Sequence, residues 1–249
     1  MLANRITQNS IAPYQEMLIG WFAARRILGN SGVPADNTAI SSASDLTAYA
    51  NNATQATGSK QPTFQENEIN GQPVMRFVAA NAQVLVATNQ SQLNPSDGVS
   101  VYAVFKTPAS LPLAAAQGIL YKTSSSGDIP YGIYMTTNVI NWRTTGSDDV
   151  VKIVSAAAVS AATTYVVEGY NNLTTTSIKI NNSAAVTDTV NGLKTSNQDV
   201  LQIGNTLTSI ARYYNGDIAE LLIYKGVLTS SQRENIRKYL GAIYGVTVS

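Results

Sequence analysis

The stretch YYNGDIAELLIYKGVLTSSQRENIRKYLGAIYG, residues 213–245, joins an apolar strand to the clearest helix of the sequence. Its segment DIAELLIY (217–224) has the aliphatic composition of a buried strand. Two capping boxes are available at the start of the helix, from Thr229 with Gln232 or from Ser231 with Glu234. The apolar residues of the helix fall on one face, which consists of Ile236, Leu240 and Ile243 with Tyr239 beside them. The stretch therefore predicts a strand and then a helix, 229–244, that Gly245 ends and that packs on a sheet.

Upstream of this stretch, short apolar segments recur between turn signals. They are PVMRF (73–77), QVLVAT (83–88), VSVYAVFKT (99–107), QGILYKT (117–123), YGIYMT (131–136), VINWRT (139–144), VVKIVS (150–155), TTYVVEGYN (163–171), TSIKINN (176–182) and VLQIGN (200–205). Apolar and polar residues alternate within several of them, as in strands that are covered on one side. Asparagine–glycine pairs at 70–71, 191–192 and 215–216 suit two-residue hairpin turns. The pattern predicts an all-β chain with two packed antiparallel sheets.

The composition excludes several kinds of function. Charged residues make up 12% of the chain, and its formal net charge is +1. No long-range field therefore attracts nucleic acid or anionic lipid, and no apolar run is long enough for a membrane span or a cleaved signal peptide. The sequence contains no cysteine and no histidine. Disulfides and thiolate metal sites are excluded, as are the commonest general base and the usual partner of a catalytic serine.

Several segments, taken in chain order, resemble laminin G-like and concanavalin A-like domains. NEINGQPVMRF (67–77) resembles their early turn and strand, VSVYAVFKTPASLP (99–112) the next long strand, and residues 163–182 their central hairpin. VLQIGN and the stretch that begins at residue 213 resemble the closing strands and helix. The resemblance covers roughly residues 20 to 245. One departure is WFAARR, which lacks the aspartate that often follows this tryptophan in the family.

The resemblance implies a jelly-roll sandwich of two antiparallel sheets, one of them concave, with a short C-terminal helix. Members of these families include carbohydrate-binding modules, adhesion domains, virion proteins and, in related branches, glycan-cleaving enzymes. We expect residues 21–249 to form this domain, with the helix at 229–244 included. Residues 1–20 are expected to be an N-terminal arm or docking segment, with a short helix as the alternative, because they contain no apolar run of signal-peptide length.

The carboxylates of the chain do not form the pair that glycan hydrolysis requires. Such a pair flanks the scissile bond and lies on one face of a strand, at alternate positions. Glu66 and Glu68 fall in an expected loop, and the odd separation of Asp217 and Glu220 predicts opposite faces. The sequence therefore predicts a protein that is not an enzyme.

Aromatic residues in the middle of the chain are the candidates for sugar recognition. Sugar rings stack on flat aromatic rings while nearby polar groups bond the hydroxyls. The candidate glycan-binding residues are Tyr121, Tyr131, Tyr134, Trp142 and Arg143, which lie on consecutive predicted strands. Tryptophan and tyrosine also fill sandwich cores, so core packing is the alternative for each ring.

Asp148 and Asp149 are candidate calcium ligands, because hard cations bind clustered carboxylates. The alternative is a solvated turn, since the sequence GSDD is typical of turns. Asp217 is a further candidate, because the resemblance places an acidic residue in this region of several calcium-binding relatives. Calcium is therefore the one cofactor that the sequence brings into consideration.

Two functions remain open. The first is a virion structural or accessory protein of a bacteriophage, such as a capsid decoration or tail-associated protein. It would be made in the cytoplasm and would bind other virion proteins or its own copies through the N-terminal segment. The second is a lectin-like module that recognises cell-surface glycans, at the cell surface or after non-classical secretion. The low charge and the surface rich in Asn, Thr, Ser and Ala favour the first as the main expectation.

Overall fold

The computed structural model of the protein describes residues 11–27, 33–123, 129–195, 199–206 and 212–249. Its strands are β1 (Leu18–Ala23), β2 (Ser42–Ala43), β3 (Ala53–Thr54), β4 (Thr63–Ile69), β5 (Gln72–Phe77), β6 (Leu85–Ala87), β7 (Val99–Lys106), β8 (Gln117–Thr123), β9 (Tyr131–Thr136), β10 (Val139–Thr145), β11 (Val151–Ala158), β12 (Thr164–Asn171), β13 (Thr175–Ile180), β14 (Val186–Thr189), β15 (Val200–Ile203) and β16 (Gly216–Lys225). The helix α1 spans Ser230–Tyr244. No helix in these ranges is long and apolar enough to cross a membrane.

The strands form two antiparallel sheets. The first has the order β14-β13-β12-β7-β16-β5-β4, and β1 also pairs with β16. The second has the order β11-β10-β9-β8-β15-β6-β3-β2. This arrangement confirms the predicted all-β sandwich with a short C-terminal helix.

The main core lies between the two sheets. Alternation along β7 sends Val101, Ala103 and Phe105 into this core and Tyr102 to the opposite side of the first sheet. Buried aromatic side chains fill much of the space, among them Phe22, Phe64, Phe77, Phe105, Tyr131 and Trp142. Burial of each large apolar side chain contributes about 1.5–3 kcal/mol, so this layer supplies most of the driving force for folding.

A second core lies on the outer face of the first sheet, where α1 packs. Ile236, Leu240 and Ile243 contact the cluster that contains Tyr102 and Tyr224. The capping box predicted from Thr229 and Gln232 is present, and Gly245 ends the helix at φ 68°. The outer face of the first sheet is therefore covered.

Buried ion pairs fix this cover in place. The Glu220 carboxylate, which is fully buried, accepts hydrogen bonds from Trp21 Nε1 at 2.7 Å, Arg25 Nε at 3.0 Å and the Tyr244 hydroxyl at 2.8 Å. Glu168 pairs in the same way with Arg233 and Arg237 of α1. Each carboxylate thus joins the first sheet to the segments above it.

Two sequence predictions differ from the structure. The expected boundary at 20/21 falls inside β1, which runs from 18 to 23 and whose six residues are all buried. Residues 1–10 of the predicted arm lie outside the described residues. Glu66 and Glu68 belong to β4 rather than to a loop.

Only one of the predicted asparagine–glycine hairpin turns has the expected form. Asn70 and Gly71 join β4 to β5 with φ values of 48° and 72°. In contrast, Asn191 and Gly192 follow β14 without opening a paired strand, and Gly216 is the first residue of β16.

Candidate functional site

The outer face of the second sheet carries a row of residues that crosses all of its strands. The cross-strand register aligns Ile153, Arg143, Gly132, Tyr121, Gln202, Val86, Thr54 and Ser42. At about 4.8 Å between neighbouring strands, such a row is roughly 34 Å long. Helix α1 packs on the other sheet, so it does not cover this row.

Gly132 is the third residue of the row, between Arg143 and Tyr121. A Cβ atom at position 132 would lie 2.2 Å from Cδ2 of Tyr121, so the tyrosine ring occupies the space that a side chain would need. The ring also meets Tyr134 edge to face, with ring centroids 5.9 Å apart and an interplanar angle of 89°. Ile129 completes this small apolar cluster. The absence of a side chain at 132 therefore leaves room for the Tyr121 ring against the backbone of β9.

The two tyrosines form a nearly buried floor. Tyr121 is 3% exposed and Tyr134 is 8% exposed. Burial raises the pKa of Tyr121 to about 12, although the positive charges of Arg143 and Arg212 oppose this shift. Burial also raises the pKa of Tyr134. Both phenols are therefore neutral at pH 7, and little of either ring is open to solvent.

Arg143 and Arg212 supply the charge of this site. Both are half-buried, and both lower the pKa values of Tyr121 and Tyr134, so the two positive charges act on the same tyrosine pair. The backbone carbonyl of Arg212 accepts a hydrogen bond from the N–H of Gly118 on β8 at 3.0 Å. We name Tyr121, Tyr134, Arg143 and Arg212 the arginine–tyrosine site.

The structure brings together three of the five predicted glycan-binding residues, namely Tyr121, Tyr134 and Arg143. It removes Tyr131 and Trp142 from the set, because both are fully buried in the core between the sheets. The hydroxyl of Tyr131 donates to the Leu93 carbonyl at 2.9 Å, and Nε1 of Trp142 donates to Thr176 Oγ1 at 2.9 Å. The physical reason is the two-residue period of a strand, which sends neighbours such as Trp142 and Arg143 to opposite faces.

The candidate calcium ligands lie in two separate places. Asp148 accepts a hydrogen bond from the N–H of Val150 at 3.2 Å in the turn before β11. Asp149 forms an ion pair with Lys194 at 2.6 Å. Within the described residues, no three Asp, Glu, His or Cys side chains form a group that could hold a metal ion.

Asp217 pairs with Arg76, its cross-strand partner on β5 of the first sheet, with distances of 2.7 Å from Arg76 Nε to Oδ1 and 2.9 Å from Nη2 to Oδ2. This bidentate pair lines a depression of about 270 Å³, which is smaller than usual ligand pockets. Glu68 and Lys106 pair with the same network, so its charges are matched internally.

The prediction that Asp217 and Glu220 lie on opposite faces is wrong. The register of β16 shifts between Ile218 and Glu220, which inserts an extra residue and returns Glu220 to the face of Asp217. The two carboxylates nevertheless have different partners. Asp217 pairs with Arg76, and Glu220 is buried beneath α1 against Arg25.

A laminin G model described as the Concanavalin A-like lectin/glucanases superfamily matches residues 79–232 of the chain. Solved structures with a similar fold are toxin binding domains. The binding domain of Paraclostridial Mosquitocidal Protein 1 superposes with a TM-score of 0.65 at 11% identity, over 92% of this chain and 52% of that one. The binding domain of Botulinum Neurotoxin DC in complex with SialylT gives 0.65 at 13% identity, over 91% and 52%.

A third structure is the ligand binding domain of Botulinum neurotoxin serotype D in complex with N-acetylneuraminic acid. It gives a TM-score of 0.62 at 12% identity, over 93% of this chain and 52% of that one. The chain thus spans about half the length of the structures that it matches, and the likeness shows the jelly-roll fold that the sequence predicts. No curated protein matches the sequence. The matched family model covers well over half of the chain, and the chain belongs to the concanavalin A-like lectin/glucanase superfamily.

Proposed function

We propose that the chain is a carbohydrate-binding module whose ligand lies on the outer face of the second sheet. The observation that carries this proposal is the arginine–tyrosine site, which lies on a row that crosses the sheet that α1 does not cover. Two of the similar structures hold a sialylated glycan or a sialic acid, which supports a sugar as the ligand class. The family also contains lectins.

The site favours hydrogen bonding over ring stacking. Because Tyr121 and Tyr134 are nearly buried, they give a rigid apolar floor with little open ring surface. The half-buried guanidinium groups of Arg143 and Arg212 present the donors that sugar hydroxyls and charged sugar substituents accept. The exposed Ile153 at the end of the row offers apolar contact for the hydrophobic side of a further sugar ring.

We also propose that the module has no catalytic activity. The chain contains no histidine or cysteine. Of the carboxylates that the sequence brought into consideration, Asp217 and Glu220 are both held in ion pairs with arginine. The similar structures reported above are binding domains, which supports the same conclusion.

The virion role, with virion proteins as partners, receives no support from the comparisons and stays a prediction, as does the predicted location. Residues 1–10, which would supply most of the docking arm, lie outside the described residues. Glycan binding therefore becomes the main proposal in place of the virion role.

A glycan array followed by calorimetry with the strongest hit tests the proposal. Gly132→Ala forces the Tyr121 ring out of place, so we expect its affinity to fall at least tenfold. Gly58→Ala is the matched control, because nothing lies within 4 Å of the added Cβ. Thermal unfolding checks that both variants fold. If the Gly132→Ala protein does not fold, the Arg143→Gln protein is used for the comparison instead. An array without hits, or equal affinities for all variants, would contradict the proposal.

A further inference from the structure

The two arginines of the arginine–tyrosine site differ from the other arginines of the sandwich. Arg25, Arg76, Arg233 and Arg237 all pair with a carboxylate of the same chain. Among the described residues, neither Arg143 nor Arg212 forms an ion pair. The site therefore concentrates positive charge that the described part of the fold does not neutralise.

Arg143 also carries an unused donor. Its Nε atom is buried and has no hydrogen-bond partner among the residues that the structure describes. A buried donor without a partner is unfavourable, because it has lost water and gained nothing in exchange. Because this atom itself is buried, the donors that a ligand meets belong to the rest of Arg143, which is only half-buried as a residue.

The tyrosine floor does not neutralise these charges. Because Tyr121 and Tyr134 are buried, both phenols stay protonated at neutral pH, and no negative charge arises beneath the guanidinium groups. The nearly buried floor also keeps the contact poor in water, which strengthens the attraction between an arginine and an anion. A neutral sugar would leave both charges without a counterion.

We propose that the ligand is an acidic glycan, and that Arg143 and Arg212 bind the carboxylate of its sugar. This inference rests on the proposed glycan-binding function and names its substrate class. The planar guanidinium fork matches a carboxylate and can donate two parallel hydrogen bonds to it. The carboxylate oxygens accept from the guanidinium groups of Arg143 and Arg212, while the rest of the sugar lies along the row.

The test begins with an array that holds neutral, sialylated, uronic-acid-containing and sulfated glycans. The expected hits carry a carboxylate. Calorimetry then compares the best hit with its methyl ester, in which a small neutral ester group replaces the carboxylate. We expect the free acid to bind at least tenfold more tightly than the ester, and its affinity to fall as salt rises.

Arg143→Gln and Arg212→Gln should each weaken binding of the free acid about tenfold or more and leave binding of the ester nearly unchanged. Lys60→Gln is the control, since it removes the same charge from an exposed position elsewhere. Equal affinity for acid and ester, or hits that are all neutral or sulfated, would overturn the acidic-sugar proposal while leaving glycan binding intact. An array without any hit would overturn both.

Discussion

Removal of the Trp142 indole tests whether this ring belongs to the core or to a binding surface. The ring is fully buried and stacks on the ring of Tyr131, with 6.5 Å between the two centroids. Its Nε1 donates a hydrogen bond to Thr176 Oγ1. Burying 150–250 Å² of aromatic surface at about 25 cal/mol per Å² stabilises a protein by about 4–6 kcal/mol. Measured aromatic-to-alanine changes cost about 3–5 kcal/mol. Trp142→Ala should therefore lower the melting temperature by roughly 6–20 °C.

Gly169 makes this prediction sharper. A Cβ atom at Gly169 would lie 2.3 Å from Cε3 of Trp142, so Gly169→Ala should overpack the core and cost about 1–3 kcal/mol. In the Trp142→Ala background the space is empty, and the same change should cost much less. Urea denaturation of the four proteins measures this coupling. Additive costs, or a Trp142→Ala variant that keeps its stability and loses glycan binding, would refute the core assignment.

Three further predictions concern stability. Burial lowers the pKa of Lys122 to about 8, below the value near 10.4 of an unfolded chain, so the unfolded state holds more protons between these values. The free energy of unfolding should then rise between pH 8 and about 10, by up to about 1.4 kcal/mol per pH unit. Urea denaturation at several pH values measures this rise, and Lys122→Met should flatten it. An unchanged pH dependence in this variant would contradict the role of Lys122. Arg25→Ala leaves the buried charge of Glu220 without its main partner and should cost about 3–5 kcal/mol in thermal unfolding, whereas a loss below 1 kcal/mol would contradict the pairing. Thr229→Ala removes the cap of α1 and should cost about 0.5–2 kcal/mol by the same measurement, while an unchanged melting temperature would show that the cap is unimportant.

Local sequence patterns predict much of the fold. The central strands alternate apolar and polar residues, and the capping box of α1 is visible in the sequence, so both are predictable. The strand β1 was not predicted, because all six of its residues are buried and its sequence shows no alternation of apolar and polar residues. The strand β14 was not predicted for the opposite reason, since its four residues are all exposed and no apolar residue of it packs in the core.

The faces of β16 show what a local pattern cannot supply. The two-residue period predicts opposite faces for Asp217 and Glu220, and the register shift after Ile218 reverses that result. A bulge depends on how the neighbouring strands pair, so nothing in the segment itself reveals it. The conclusion that these carboxylates do not work together now rests on their arginine partners rather than on their spacing.

The candidate site was predictable only in part. Tyr121, Tyr134 and Arg143 could be chosen because aromatic and cationic residues gather on neighbouring predicted strands. The sequence could not say that Tyr131 and Trp142 face inward, since the core side of each strand depends on the packed sheets. Arg212 was missed because it reaches the site from a distant part of the chain, where no motif marks it.

The most direct test of the account is to map the ligand on the protein by NMR. Amide chemical shifts of the labelled protein are recorded while the strongest array hit is added. We predict that the largest changes cluster around Tyr121, Gly132 and Arg143 on the second sheet. Changes that cluster instead at the depression beside Arg76, or along α1, would contradict the placement of the site.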